Sequence, residues 1–383
     1  MTSSGRAALE QTQSSTLVRR LGPLDGASII VSNVIGSGIF IVPALVAGWI
    51  PNVWAMLAAW GVGGMLAFAG AMAYAELAVL RPHAGGEYVY LRDAFGPTVG
   101  FLTGWTSFVA GFSGAIAASA VGFAAFVGQL FPMLTDSGPF FQLSLGFISL
   151  TVSSQTLVAL ALIVVLTVVH VRGLGPGRVV QNILAVSKVA ILIVLIVAGF
   201  SIGTGSIGNF TLPSQPITAE LWLLALIPIM FSFSGWNAAA YVAGEIQDPE
   251  RNVPLAMALG TVTVVVIFMG LNVLYVFAMP LSEIAVVDVR VIDAAAGRLL
   301  GPEVATSIAV ASAVMIAASV SAMIMAGPRV YYAMARDGQF LSAAARVHPT
   351  FRTPVVAIVA QSIWSAVLVL AGTFDQLLLY TGF

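Results

Sequence analysis

The sequence predicts an all-α integral membrane protein whose first and sixth spans are interrupted, and three observations predict it. Hydrophobic types make up 59% and charged types 8% of the 383 residues, whereas soluble domains carry about 25% charged residues. Apolar runs of about 20 residues, the length that crosses a hydrocarbon core, recur along the chain. Arginine gathers on one side of those runs. A water-soluble surface cannot be built from so few charges, which excludes a soluble enzyme, a nucleic-acid binder and a disordered scaffold.

Nine runs are long enough to span: Leu24–Val46, Ala55–Val79, Val99–Phe131, Ser154–Val171, Arg178–Phe200, Leu221–Glu245, Val253–Met279, Val304–Ala335 and Pro354–Ala371. A tenth begins near Phe374 and stops at Phe383, so the chain is expected to be truncated inside helix 10. Residues 1–20 form a polar tail ending in Arg19-Arg20. The run after it has no small-residue cleavage site and reads as a retained first helix. Residues 21–383 are then one transmembrane domain, with repeat one over about 24–200 and an incomplete repeat two over about 221–383.

Arginine placement orients the chain. With a cytoplasmic N-terminus, 12 arginines fall on the cytoplasmic side and only Arg290 and Arg298 on the other. The expected location is the plasma or inner membrane, with the lipid bilayer as partner and no nucleic acid. The external segment Pro280–Pro302 contains Val291–Leu300, which reads equally as a short amphipathic helix over a vestibule or as a loop. There is no Cys, hence no disulfide framework. The histidines His83, His170 and His348 all fall at the cytoplasmic side and suggest no mechanism. No cofactor and no metal site is expected.

Two spans contain runs that a continuous helix avoids. Gly36-Ser37-Gly38 lies mid-span in the first, where each Gly costs about 1 kcal/mol relative to Ala. Ser232-Phe233-Ser234-Gly235 lies in the sixth, with Pro228 upstream to weaken the preceding turn. Gly and Ser also serve as close-packing residues in membrane helices. The five-span offset between the two runs argues otherwise, because paired interruptions in an inverted repeat mark a transporter site. Unwinding frees N–H groups that attract an anion and C=O groups that attract a cation. Two facing interruptions suit an α-amino acid zwitterion, and no charged side chain lies beside either.

The chain has one lysine, Lys188, ten residues into the fifth run. A cation at the bilayer centre costs about 2.5–3.5 kcal/mol on insertion scales and is functional by default. Lys188 is expected to act as a tethered cation in the place of a bound Na⁺, bridging the fifth helix to the interrupted first; a coupling role with protons also stays open. Asp25, Glu76 and Glu245 fall at helix ends as gate or interface groups. Asn237, directly after the second interruption, and Ser319 and Ser321 in the eighth run are candidate pocket residues, for which structural hydrogen bonding competes.

Several motifs then match a family. Val34-Ile35-Gly36-Ser37-Gly38-Ile39-Phe40 resembles the first-helix motif of the amino acid–polyamine–organocation superfamily. Tyr74-Ala75-Glu76-Leu77 with Gly85-Gly86-Glu87-Tyr88-Val89-Tyr90-Leu91 is similar to its second-to-third helix junction. Phe231-Ser232-Phe233-Ser234-Gly235-Trp236-Asn237, then Glu245 and Asp248-Pro249-Glu250-Arg251-Asn252-Val253-Pro254, resembles its sixth helix and the loop beyond. Arg329, Met334-Ala335-Arg336-Asp337-Gly338, His348-Pro349 and Thr353-Pro354 resemble the eighth-to-ninth junction. Within that superfamily the chain most resembles the bacterial relatives of the L-type amino acid transporters.

The resemblance implies the leucine-transporter-type five-plus-five inverted repeat, with helices 1 and 6 discontinuous. It implies Na⁺-independent transport of L-amino acids by alternating access, often as exchange. The substrate carboxylate would meet the N–H groups of Ser37 and Gly38 and the Ser37 hydroxyl. The ammonium would meet carbonyls of Val34, Phe231, Ser232 and Ser234. Val34, Ile35, Gly36, Ser37, Gly38, Phe231, Ser232, Ser234 and Asn237 are thus the expected binding residues, with Phe231 the gating aromatic and Lys188 the coupling residue. An L-amino acid, neutral in its side chain, is the expected substrate; an accessory subunit is left open. Proton-coupled symport and a polyamine or cationic amino acid antiporter are the alternatives. A channel would need a filter or charged ring, and an enzyme a catalytic arrangement; neither is present in the sequence.

Overall fold

The computed structural model describes residues 17–134, 138–144, 149–213, 215–288 and 290–372. The first run forms two helices. Helix α1 (Pro23–Val34) starts with Pro at its first turn, where a missing N–H costs nothing. The Gly22 N–H donates to Asp25 Oδ2 at 2.7 Å. The helix ends before the Gly-Ser-Gly run, and α2 (Gly38–Trp49) leaves at an angle of 49° to it. Helix α3 (Val53–Leu80) is capped by Asn52, whose side-chain oxygen accepts from the Ala55 N–H at 3.0 Å.

A short helix α4 (Glu87–Phe95) precedes the third span. That span begins two residues earlier than its apolar run, as α5 (Pro97–Thr106), then passes through a π-helical turn at Ser107–Gly111 into α6 (Phe112–Leu130). Strands β1 (Phe141–Ser144) and β2 (Ser149–Val152) then pair antiparallel, with Phe141 opposite Val152. This pair of four-residue strands, with an isolated bridge between Leu21 and Ile246, makes up the β-structure among the described residues. Helices α7 (Ser154–Val171) and α8 (Leu174–Ser201) are the fourth and fifth spans.

The sixth run does not continue as one rod. Helix α9 (Ala219–Ser232) stops within the Ser-Phe-Ser-Gly run, and after a turn only α10 (Ala238–Tyr241) and a 3₁₀ turn at Ala243–Glu245 follow. Helix α11 (Pro249–Ala278) is the seventh span. The segment left open in the sequence, Val291–Leu300, is a helix, α12. The eighth run divides at Gly327 into α13 (Ala305–Ala326) and α14 (Pro328–Arg336), and α15 (Val355–Ala371) follows. The tenth apolar run falls beyond the described residues.

Six helical segments are long and apolar enough to cross a membrane, the bent α1–α2 pair makes a seventh, and α9 and α15 are shorter apolar helices. Large aliphatic side chains such as Val165, Val186, Val194, Val266 and Ile363 point outward and exposed. Such an exterior is compatible with lipid and not with water. Helix α1 sits inside, packed on α8, α11 and α13, while α6 packs on α7, α13 and α15. In the core, Trp60 meets Phe233 and Phe268 edge-on, each with ring centroids 6.0 Å apart.

Candidate functional site

The two interruptions touch. A Cβ built on Gly38 would fall 2.9 Å from Ser232 Cα, so only Gly permits this approach. Across the same junction Gly235 holds φ +101°, and a Cβ there would fall 2.8 Å from Asn33 Nδ2. Between Val34 and α2 the ladder is open: Gly36, Ser37 and Gly38 donate no backbone hydrogen bond among the described residues. Phe40 and Ile41 donate to the Ser37 carbonyl at 3.0 and 3.1 Å, so the new helix restarts from Ser37. These are the bare N–H groups that a helix start presents to an anion.

A cavity of about 1180 Å³ lies against this junction. The first interruption contributes Val34, Ile35, Gly36, Ser37 and Gly38 to its lining, and the second contributes Phe231, Ser232 and Ser234. Phe231 is 38% exposed there. Small residues of α6, among them Ala118, Ser119 and Gly122, form one wall. Met315, Ile316 and Ser319 of α13 form another.

Lys188 is fully buried behind the first interruption. Its ammonium donates to the carbonyls of Ser32 at 2.9 Å and Ile35 at 2.6 Å, and to Ser319 Oγ at 2.8 Å. It therefore joins α8, the end of α1 and α13 through one charge. A lysine offers three donors, and all three find oxygen partners.

Two candidates lie elsewhere. Asn237 is not part of the cavity lining; its amide donates to Glu87 Oε1 and to Tyr241 Oη, the latter at 3.2 Å. Ser321 is buried on another face of α13, with its hydroxyl 2.9 Å from His170 Nε2. Residues two apart on a helix differ by about 200° in direction, so Ser319 and Ser321 cannot share a wall.

The rim holds residues that were not among the expected site residues. The charged side chains lining the cavity, among the described residues, are Asp288 and Arg290, from the segment leading into α12, and Asp293, in its first turn. Burial pushes the Asp293 carboxyl up, opposed by the Arg290 guanidinium beside it. The signal was present: Arg290 is one of two arginines on the sparse side, next to a candidate helix.

The opposite end is shut. Arg20 and Leu21 donate their N–H groups to the Glu245 carbonyl at 2.8 and 2.9 Å, and Gln247 N–H returns to the Leu21 carbonyl at 2.9 Å. Beneath them Glu245 and Arg329 form a buried ion pair, with Arg329 Nη2 at 3.0 and 2.9 Å from the two carboxylate oxygens. Asp25 accepts from Asn182 Nδ2 at 2.5 Å and lies 3.6 Å from Arg178, fixing the start of α1 to α8.

A lipid-compatible exterior around a cavity reached at one end, closed at the other and floored by two helix interruptions is the architecture of a membrane transporter. Comparison with known proteins narrows the class. Residues 21–381 match the amino acid permease family profile. The chain belongs to the amino acid permease family. It is 28% identical over 368 residues to the serine/threonine exchanger SteT of Bacillus subtilis, covering 96% of this chain and 80% of that protein. It is 28% identical over 378 residues to the b(0,+)-type amino acid transporter 1 of Homo sapiens, covering 98% and 74%. It is 29% identical over 378 residues to the human large neutral amino acids transporter small subunit 2, covering 96% and 67%.

Proposed function

We propose that the protein exchanges neutral L-amino acids across the plasma or inner membrane by alternating access, independently of Na⁺. The observation that carries this reading is the contact between the interruptions, Gly38 against Ser232, at the floor of one cavity. The α-carboxylate is held by the N–H groups of Ser37 and Gly38 and by the Ser37 hydroxyl. The α-ammonium is held by carbonyls of Val34, Ser232 and Ser234, and Phe231 closes over the bound solute.

Na⁺ independence is supported by Lys188, whose ammonium already occupies an oxygen cluster of the kind that binds a cation. A neutral side chain is supported by the walls beside the interruptions, where the lining is apolar or uncharged among the described residues. The five-span offset between the interruptions supports a five-plus-five inverted repeat within one transmembrane domain. The arginine distribution supports a cytoplasmic N-terminus. In this orientation the cavity faces outward and the Glu245–Arg329 side is the closed cytoplasmic gate.

The test is uptake into proteoliposomes. Radiolabelled L-serine or L-leucine should enter only when unlabelled amino acid is loaded inside, with Na⁺ and a pH gradient without effect. Uptake into empty vesicles driven by either ion gradient would overturn exchange.

A further inference from the structure

The rim charges have no part in the site just proposed, yet they line the same cavity. Arg290 is placed with care. Its Nη1 donates to Ser312 Oγ at 3.0 Å, and its Nη2 pairs with Asp293. The guanidinium carbon Cζ lies over the ring of Phe126 of α6, 3.7 Å from the ring centroid. Three elements, α6, α12 and α13, thus hold one cation at the cavity wall. The aromatic face and the two side-chain partners together hold the guanidinium in place. Two of its five N–H donors are used in these bonds, so the fork retains donors for a carboxylate. Asp293 is likewise half-used: its Oδ1 is buried with no hydrogen-bond partner among the described residues.

The spacing is also informative. Ser312, the partner of Arg290, and Ser319, the partner of Lys188 and the first interruption, are seven residues apart on α13. Seven residues are two helical turns, so both face the cavity about 10 Å apart along the axis. Ser312, Met315, Ile316 and Ser319 form the intervening stripe of lining. A cation and an anion side by side therefore stand about two turns outward of a floor that offers the same pair of polarities from its backbone.

We propose that Arg290 and Asp293 form an outer recognition station, at which the α-carboxylate meets the Arg290 guanidinium and the α-ammonium meets the carboxylates of Asp293 and Asp288, before the amino acid moves inward. The inference rests on the amino acid transport reading and adds a second place where the zwitterion is read. The station acts on entry from the open end. It does not set the equilibrium affinity of the floor.

The experiment compares full-length wild type with Arg290→Gln, Asp293→Asn and Arg290→Lys. Equilibrium binding of radiolabelled L-serine and L-leucine is measured on purified protein, and kcat/KM for their entry from the Arg290 side is measured in proteoliposomes. Arg290→Gln and Asp293→Asn should each lower kcat/KM about tenfold, the low end of an electrostatic effect on association. The dissociation constant should stay within about twofold in both, which also reports an intact fold. Arg290→Lys, which keeps the charge, should recover most of the rate. Unchanged kcat/KM in both neutral variants overturns the station. So does a parallel loss of affinity and kcat/KM in both, since the residues would then act through the floor. Wild type that binds neither amino acid refutes the transport reading itself, and the station with it.

Discussion

The ammonium of Lys188 lies 2.6 Å from the carbonyl oxygen of Ile35, the first residue beyond α1. A charge from the fifth span thus satisfies a backbone group that the interruption has stripped of its helical partner. Such a group left bare in the membrane interior costs on the order of 1–3 kcal/mol. The sole lysine is therefore part of what keeps the first helix open.

Lys188→Ala should reduce exchange at least about tenfold while membrane insertion stays normal, because two carbonyls and Ser319 lose their donor together. Lys188→Arg should not restore it, since the larger fork must fit a fully buried site. Proteoliposome exchange with matched protein content checks both. Wild-type rates in Lys188→Ala would remove the role.

Gly38→Ala should be more damaging than its size suggests. Its methyl would collide with the Ser232 backbone at 2.9 Å and force the interruptions apart. Gly36→Ala is the control, because a Cβ there has its nearest neighbour at 3.9 Å. Ser37→Leu should block amino acid binding by filling the cavity floor. Binding of L-leucine to the three variants orders them: Gly36→Ala near wild type, the other two strongly weakened.

Glu245 and Arg329 are 0% and 2% exposed in their side chains. Removing one partner leaves an uncompensated buried charge, so Glu245→Gln or Arg329→Met should each cost about 3–5 kcal/mol. The double variant should recover part of that loss. Thermal unfolding in detergent measures it, and additive losses in the double variant would show that the two groups do not depend on each other.

Asn237→Ala should leave the affinity for L-leucine within about twofold, because the amide is committed to Glu87 and Tyr241 and is absent from the cavity wall. Its effect should appear instead as a stability loss of about 1 kcal/mol. A large loss of affinity at unchanged stability would return Asn237 to the site.

How much of this was legible in the sequence varies with the physics involved. The interruptions were legible, because Gly36-Ser37-Gly38 and Ser232–Gly235 violate helix propensity where a membrane helix can least tolerate it. Lys188 stood out for the same reason, as an expensive charge at depth. Helix α12 was half-legible, since ten residues of mixed polarity fit both a helix and a loop. The direction each residue faces was harder. Ser319 and Ser321 were singled out together, although helical phase sends one to Lys188 and the other to His170. Asn237 follows the second interruption in sequence, but the turn into α10 swings it toward Tyr241. The placement of Arg290 over Phe126 joins positions 164 apart, a contact set by the packing of α6 and α12 and carried by no local pattern.

The most direct measurement is a structure of the full-length protein with L-leucine bound. The α-carboxylate should lie within hydrogen-bond distance of the Ser37 and Gly38 N–H groups, with the α-ammonium at the carbonyls of Val34, Ser232 or Ser234. L-leucine found elsewhere in the protein, with Gly36, Ser37 and Gly38 wound into a continuous helix, would contradict it.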